Sequence, residues 1–506
     1  MHRDLNAMRT ADFDLLVVGA GIHGACVAWD AVLRGLRVGV IDRDDFGAGT
    51  SANSLRIVHG GLRYLARADF ARMRESVRER SALLRIAPHL VRPLGVLIAT
   101  RGRGAQSRSA MRAALALNDV LTFRRNRGTG PGQSIPPGRV VSRAEVKRLF
   151  APLDQAGMTG GAIWYDGQMV HPERLTFAFL AGAAGGGASL ANYLRADAIL
   201  VEGDRVQGVR ATDTVTGEAL EIRAQCVLGA MGPWTGELGG GSRPQAFALN
   251  VILNRRLADV AVGVRALSTA EQDPVIGGGR YLFAVPHGAS TLLGTWYAIA
   301  GDAVAGSADD SALIERGVRS LIAEFNAACP AARISAGDVL RAQWGRLPLK
   351  GRLEPGRPDS LADRPRVFHH ADQGGPRGLV TLDGVKYTTA RLVAERAVDL
   401  VFSVLGRPGV PCRTTHTPLP DTRVPASDPE AAIRLAVRSE MAVHLADVVL
   451  RRTDLGAPPG PTREVVETAG RTAGGELGWN VATQEAEIED VMRRTTAGAR
   501  ELEPAR

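Results

Sequence analysis

Gly19, Gly21 and Gly24 stand in the spacing G-x-G-x-x-G, and Asp42 follows 18 residues after the last of them. Each residue type has a job in holding a dinucleotide. Gly19 closes a tight turn. Gly21 lets the backbone approach a pyrophosphate, and Gly24 lets a helix pack closely on a strand. The helix start at Ile22 and His23 offers free N–H groups and a positive dipole end to phosphates. Asp42 can hold ribose hydroxyls. Further on, Thr50, Ser51 and Ser54 are short hydroxyl donors, suited to phosphate or ring contacts or to capping a turn. His59-Gly60-Gly61 sets an imidazole beside a backbone free to approach a planar ring; a buried, satisfied histidine is the other reading. Gly384-Val-Lys-Tyr-Thr-Thr389 opens a helix with Lys386 at its start, where a cation meets the unfavourable end of the dipole.

These groups need a scaffold, and the pattern supplies one. Asp14 to Gly21 reads as a buried strand ending in a glycine turn, Ile22 to Arg34 as a helix, and Arg37 to Asp42 as the next strand. That is a βαβ unit, and it makes the glycine spacing meaningful where alone it would be weak. Residues 69–90 read as helical. Residues 101–138 are rich in Arg, Gly and Pro, poorly patterned, and read as a surface excursion. Strand pieces follow at 198–202, 206–212 and 219–223. Strand signals such as Tyr281-Leu-Phe-Ala-Val-Pro286 mark 245–345 as a second sheet. A strand, a turn and a helix return at 377–404, then a proline-rich linker and a helical end.

The chain has 506 residues, too many for one core, so two or three domains are expected. The four cysteines stand far apart, which argues against a zinc site and a disulfide framework; no metal is expected. No apolar run reaches the ~18 residues of a membrane span, and residues 1–12 carry no apolar signal core. A cytoplasmic protein fits, and residues 1–12 read as a disordered lead. The net charge of +9 is mostly arginine, and fits composition bias, anionic lipid or an anionic substrate. Nucleic acid is not expected, because the basic residues are scattered and aromatics are 5%.

Which dinucleotide is bound is left open by the βαβ unit. The run Thr50-Ser-Ala-Asn-Ser-Leu-Arg-Ile-Val-His-Gly-Gly-Leu-Arg-Tyr-Leu65 resembles the T-S-x-x-S-x-K-L-I-H-G-G-L-R-Y-L segment of the FAD-dependent glycerol-3-phosphate dehydrogenases. Ala230-Met-Gly-Pro-Trp234, Asp383-Gly-Val-Lys-Tyr-Thr-Thr389, Arg438-Ser-Glu and Leu450-Arg-Arg-Thr-Asp-Leu-Gly456 continue the resemblance, in order, over most of the chain. That family belongs to the D-amino-acid-oxidase-like flavoproteins.

The resemblance implies an α/β fold: a Rossmann-type FAD domain interleaved with an antiparallel-sheet substrate domain, plus a small helical C-terminal cap. The expected division is a first FAD segment at 13–100, a mixed stretch at 101–245 returning to the FAD domain near 160–235, and a substrate sheet at 246–345. A last FAD segment at 346–405, a linker at 406–429 and the cap at 430–506 complete it. The implied cofactor set is Gly19, Gly21, Ile22, His23, Gly24, Asp42, Arg43, Thr50, Ser51, Ser54, His59, Ala198, Ala230, Gly232, Trp234, Gly384, Val385, Lys386, Tyr387 and Thr388. The helix start near Lys386 would face the flavin and stabilise the anion formed on reduction.

The implied chemistry is hydride transfer from a secondary alcohol, with sn-glycerol 3-phosphate as leading substrate. Electrons would leave to a quinone or another acceptor, with peripheral contact on the inner face of the membrane. His59, Arg63, Arg346 and Lys386 are the implied catalytic groups. Arg63, Tyr64, His287, Arg346 and Lys386 are the substrate set, and His59 or His287 the base. The pattern departs from the family in the substrate half. In Trp344-Gly-Arg-Leu-Pro-Leu349 the arginine stands one position early and Leu347 takes its place; in a strand that changes its face unless a bulge restores it. Arg56 replaces a lysine, and Ala248 to Arg256, Met169 to Arg174 and Trp296 also depart. An amine or amino-acid oxidase, or a tailoring enzyme with a changed pocket, is the alternative. His171 with Glu173, and His369-His370, carry less weight.

Overall fold

Two sheets form the body, and the chain crosses between them several times. The computed structural model describes residues 1–65, 68–153, 157–238, 244–266, 280–299, 308–351, 361–423 and 428–496. The first sheet has the order Arg366–His369, Leu379–Asp383, Ala219–Gly229, Asp12–Val18, Val38–Ile41, Ser189–Ala191. Its neighbours run parallel except at the Arg366–His369 edge. Strands Leu194–Glu202 and Arg205–Asp213 form an antiparallel flap against Ala219–Gly229. Strands covered on both faces read as continuous apolar runs. Helices Ile22–Leu33, Pro172–Gly185 and Ala390–Val404 cover one face with Trp29, Phe179 and Val398. Ile222 and Val209 pack on the other. Each fully buried side chain of this size contributes about 1.5–3 kcal/mol.

The second sheet has the order Val339–Pro348, Gln245–Leu253, Ser290–Ile299, Tyr281–His287, Ala261–Arg265, Val91–Arg101, Met158–Met169, Ile57–Val58, and is antiparallel except between Ala261–Arg265 and Val91–Arg101. Alternation fixes its faces. Phe247, Leu249 and Val251 pack with Val318, Leu321 and Phe325 of helix Ala308–Ala328, so Ala248 and Asn250 face the opposite way, toward the first sheet. Helices Pro429–Glu440, Arg463–Leu477 and Val481–Thr495 form the C-terminal cap around Ile433, Val449, Val466 and Val491. The expected fold class is the one observed.

Two local expectations are corrected. The lead is ordered: helix Leu5–Thr10 is capped by Asp4, inserts Met8 completely, and is tied down by Arg3 on Asp213. The excursion holds helix Arg108–Leu121, capped by Ser107 and anchored by Leu115, with Leu117, Val120 and Phe123 exposed. Arginines and glycines around it hide a short amphipathic period. Among the described residues no helix is long and apolar enough to cross a membrane.

Candidate active site

The glycine turn is as tight as its spacing requires. Gly19 has φ +99°, and a Cβ there would lie 2.7 Å from the Ala230 carbonyl oxygen. A Cβ on Gly24 would lie 1.8 Å from the Gly19 carbonyl oxygen, so helix and turn touch backbone to backbone. Gly24 therefore packs beneath the turn, while Gly19, Gly21, Ile22 and His23 line a long cleft.

Asp42 lies on the same cleft wall, accepting from Ala20 N at 2.6 Å and Asp44 N at 3.0 Å. Burial pushes its carboxyl up to about 7. Arg43 stacks over Trp234 at 4.2 Å, and both line the cleft with Ala230 and Gly232. Ala198 does not; two residues earlier on that strand, Ala196 does, with Arg195. Alternation alone would put Ala196 and Ala198 on one face, but the register with Arg205–Asp213 shifts between them and breaks it.

Thr50, Ser51 and Ser54 line the cleft too. Ser51 Oγ accepts from Ile22 N at 3.0 Å, Thr50 Oγ1 donates to the Arg346 carbonyl, and Ser54 Oγ accepts from Arg56 N. Gly384, Val385, Lys386, Tyr387 and Thr388 form the facing wall. His23 is half-buried and packed against Gly384: burial lowers its ring to about 4, and its shielded Nε2 has no hydrogen-bond partner among the described residues. An orphaned buried nitrogen beside a cradle that a Cβ would fill fits a polar cofactor lying there.

His59 is half-exposed on the cleft, its backbone N donating to Thr388 Oγ1 at 3.1 Å. Its Nδ1 lies 3.6 Å from Asp166 Oδ2. Asp166 also accepts from Gly60 N at 2.6 Å and from Arg80 at 3.3 Å. Burial pushes this carboxyl up, but His59, Arg80 and Gly60 outweigh it and hold it below the usual range. Gly60 is required here, since a Cβ would lie 1.9 Å from Arg80 Nη1. Asp166 and Arg80 were not singled out from sequence. The available signal was the one charged residue in strand Met158–Met169.

Lys386 donates to the Tyr64 hydroxyl and lies 5.1 Å from the centre of that ring, so these two expected residues meet. The side chain of Arg63, between them in expectation, lies outside the described residues. Arg346 departs from expectation. The register Phe247↔Arg346, Ala248↔Gly345, Asn250↔Gln343 is unbroken, and the irregularity falls beyond it, between Ile252 and Leu253. No bulge restores the face. The buried guanidinium of Arg346 turns to helix Ala308–Ala328 and pairs with Asp310 at 3.0 Å. Leu347 takes the cleft side, with Tyr297, Thr295 and Asn250. Arg346 still borders the cleft, where its carbonyl accepts from Thr50, whereas His287 does not line it. It is buried, burial and the nearby charge of Arg56 push its ring down to about 2, and Nε2 has no partner among the described residues. Such a ring stays neutral near pH 7 and is a weak proton acceptor. His171 stands at the N-cap position of helix Pro172–Gly185 without a side-chain capping bond, and Glu173 pairs with Arg56 at 3.2 Å.

Behind the cleft, Asp45 is buried between two arginines of the cap, Arg451 at 2.5 Å and Arg452 at 2.7 Å. This gives the Leu450–Gly456 motif a structural role.

Comparison with known proteins agrees with this geometry. Residues 14–396 match the FAD dependent oxidoreductase (DAO) family. The chain is 31% identical over 433 residues to the glycerol-3-phosphate dehydrogenase of Synechocystis, covering 83% of this chain and 75% of that protein. It is 28% identical to the human mitochondrial glycerol-3-phosphate dehydrogenase, covering 87% of this chain but 60% of that longer one. The crystal structure of the glycerol-3-phosphate dehydrogenase from Bacillus halodurans, complexed with FAD, superposes with a TM-score of 0.74 at 21% identity, over 99% of this chain and 98% of that one. The chain belongs to the FAD-dependent oxidoreductase family, and is glycerol-3-phosphate dehydrogenase-like within it.

Proposed function

We propose that the cleft holds FAD and that the chain oxidises a secondary alcohol bearing an anionic group, with sn-glycerol 3-phosphate, giving dihydroxyacetone phosphate, as leading substrate. The observation that carries this reading is the pair of assemblies on one cleft: His59 on Asp166, and Lys386 on Tyr64. The Gly19–Gly24 turn would take the pyrophosphate, Asp42 a ribose, Arg43 and Trp234 the adenine end, and Gly384 to Thr388 the ring. When bound, the flavin supplies a two-electron acceptor for the carbon-bound hydrogen. His59 takes the hydroxyl proton at Nε2, because Nδ1 is turned to Asp166. Asp166 fixes the ring and stabilises its charge. Lys386, and Arg63 by resemblance, attract the anion. The electrons pass on to a quinone or another acceptor. Exposed Leu117, Val120 and Phe123 beside Arg124 support peripheral membrane contact.

Arg346, committed to Asp310, and Leu347 on the cleft side favour a second reading: an amine, amino acid or larger alcohol in a changed pocket. Anaerobic addition of sn-glycerol 3-phosphate separates the two. The first reading expects bleaching of the flavin band, a KM raised roughly tenfold or more by Lys386→Met, and little change in KM for Arg346→Met. A flavin that stays oxidised discards this substrate and leaves the family intact.

Asp42 makes cofactor affinity pH-dependent on this reading. Its pKa is raised to about 7, so the group is largely neutral at pH 6. Ribose hydroxyls donate to the carboxylate and favour its charged form, so binding expels a proton. FAD affinity is expected to rise by up to about tenfold as pH climbs from about 6 to 8, one pKa unit being a factor of ten. Asp42→Asn should flatten the curve in a fluorescence titration; an unchanged slope would assign it elsewhere.

A further inference from the structure

A second cleft shares the Ala48–Asn53 loop with the first and opens between the edge strand Val339–Pro348 and the cap. Five arginines line it, Arg341, Arg346, Arg451, Arg493 and Arg494, against two carboxylates, Glu173 and Asp310. Four of the arginines are held: Arg346 by Asp310, Arg451 by Asp45 and Asp447, Arg493 and Arg494 by Asp490. Arg341 has no hydrogen-bond or ion-pair partner among the described residues, and Glu173, the carboxylate whose charge reaches it, is bonded to Arg56. Burial and the charge of Arg56 push the Arg341 guanidinium below its ordinary range, and Glu173 only partly opposes them.

Two residues along the same strand, Gln343 is 6% exposed and lines the cleft. Its Oε1 is shielded from solvent and has no hydrogen-bond partner among the described residues. Residues two apart on a strand share a face, so the guanidinium and the amide present together. A buried acceptor without a donor is costly, and the half-buried guanidinium of Arg341 beside it has no anion among the described residues to pair with. One ligand would answer both: an oxyanion for Arg341, with a hydroxyl beside it for Gln343.

We propose that this cleft is a second binding site, taking a small hydroxylated oxyanion, its charged end on Arg341 and its hydroxyl donating to Gln343 Oε1. Protonated phosphate and a hydroxycarboxylate share this chemistry. The site does not depend on which alcohol the flavin cleft oxidises.

The test is calorimetric titration of the flavin-loaded protein with inorganic phosphate against sulfate, which has no hydroxyl near neutrality, and with glycolate against acetate. Lys386→Met with Arg63→Met serves as background, to silence anion binding in the flavin cleft. The expected result is one site per chain that prefers the hydroxylated member of a pair by roughly tenfold. Preference for phosphate over glycolate assigns a phosphorylated ligand, and the reverse a hydroxy acid. Arg341→Met should abolish this site. Gln343→Leu should retain an anion site but lose the hydroxyl preference. Arg319→Met, exposed on the far helix, should change neither. Absence of binding overturns the proposal, as does binding unchanged by Arg341→Met. If Arg341→Met does not retain flavin, Gln343→Leu decides: an undiminished hydroxyl preference there overturns it.

Discussion

Gly384→Ala is expected to yield a protein that folds but retains little or no flavin. A Cβ at this position would lie 2.2–2.5 Å from three atoms of the His23 ring. His23 stands in the first helix turn, half-buried with its Nε2 shielded, and gives way only by turning into the cleft or by shifting the N–H groups of the glycine turn. The strain of such overpacking is about 1–3 kcal/mol. It falls on the cofactor cleft, because helix start and Gly384 wall can separate only into it. Flavin-to-protein ratio after gel filtration is the measurement. His23→Ala should weaken retention modestly, while His23→Ala with Gly384→Ala should hold more flavin than Gly384→Ala alone. A double variant no better than the single one would place the damage elsewhere. Gly24→Ala is more severe, since its clash is with the Gly19 carbonyl at 1.8 Å, and backbone has no rotamer to change.

The sequence made one half of this cleft readable and hid the other for physical reasons. The turn, Asp42, the hydroxyl residues and His59 lie within one stretch of chain, where local geometry largely decides who meets whom. Lys386 was readable as a cation at a helix start. Asp166 was not: it reaches His59 and Gly60 across 106 residues, through pairing between sheet strands. The displacement of Arg346 was visible in the spelling of its segment, but its consequence needed the register with Gln245–Leu253, which a single strand does not contain. The lead helix escaped because its order rests on one buried methionine, Met8, and on ion pairs such as Arg3–Asp213 and Arg9–Glu218, too little to make an apolar period. The fold class, by contrast, rests on long covered strands and helices, whose patterns are redundant.

Asp45→Ala is the other change with a large expected effect, and it acts through the cap. Asp45 follows the second strand of the cofactor sheet and accepts from Arg451, Arg452 and Asn192, the last at 3.0 Å. Its two arginine partners come from the far end of the chain, and all three side chains are buried. Among the described residues, removing the carboxylate leaves Arg452 with the Glu440 carbonyl as its hydrogen-bond acceptor, and Arg451 with Asp447. Breaking a buried pair in this way costs about 3–5 kcal/mol, mostly as the penalty of uncompensated charge. The pH dependence has a definite sign. Burial pushes Asp45 up, but Arg452 and Arg451 outweigh it and bring it down to about 2. A depressed folded pKa contributes stability above the unfolded value, near 4, that is lost as pH falls toward 2. Chemical denaturation should therefore show this contribution as constant from about pH 8 to 5 and fading only below about 4. In Asp45→Ala the acid-dependent part should be absent, and flavin loss should accompany cap release, because Asp44 and Ala48 beside Asp45 line the cofactor cleft. Arg438→Met is the control. Its partner Glu476 is bound at the surface, where a pair contributes about 0–1 kcal/mol, so neither midpoint nor flavin content should move appreciably. Equal effects of the two substitutions would mean that the cap is held by apolar contact and that the buried charges merely fit.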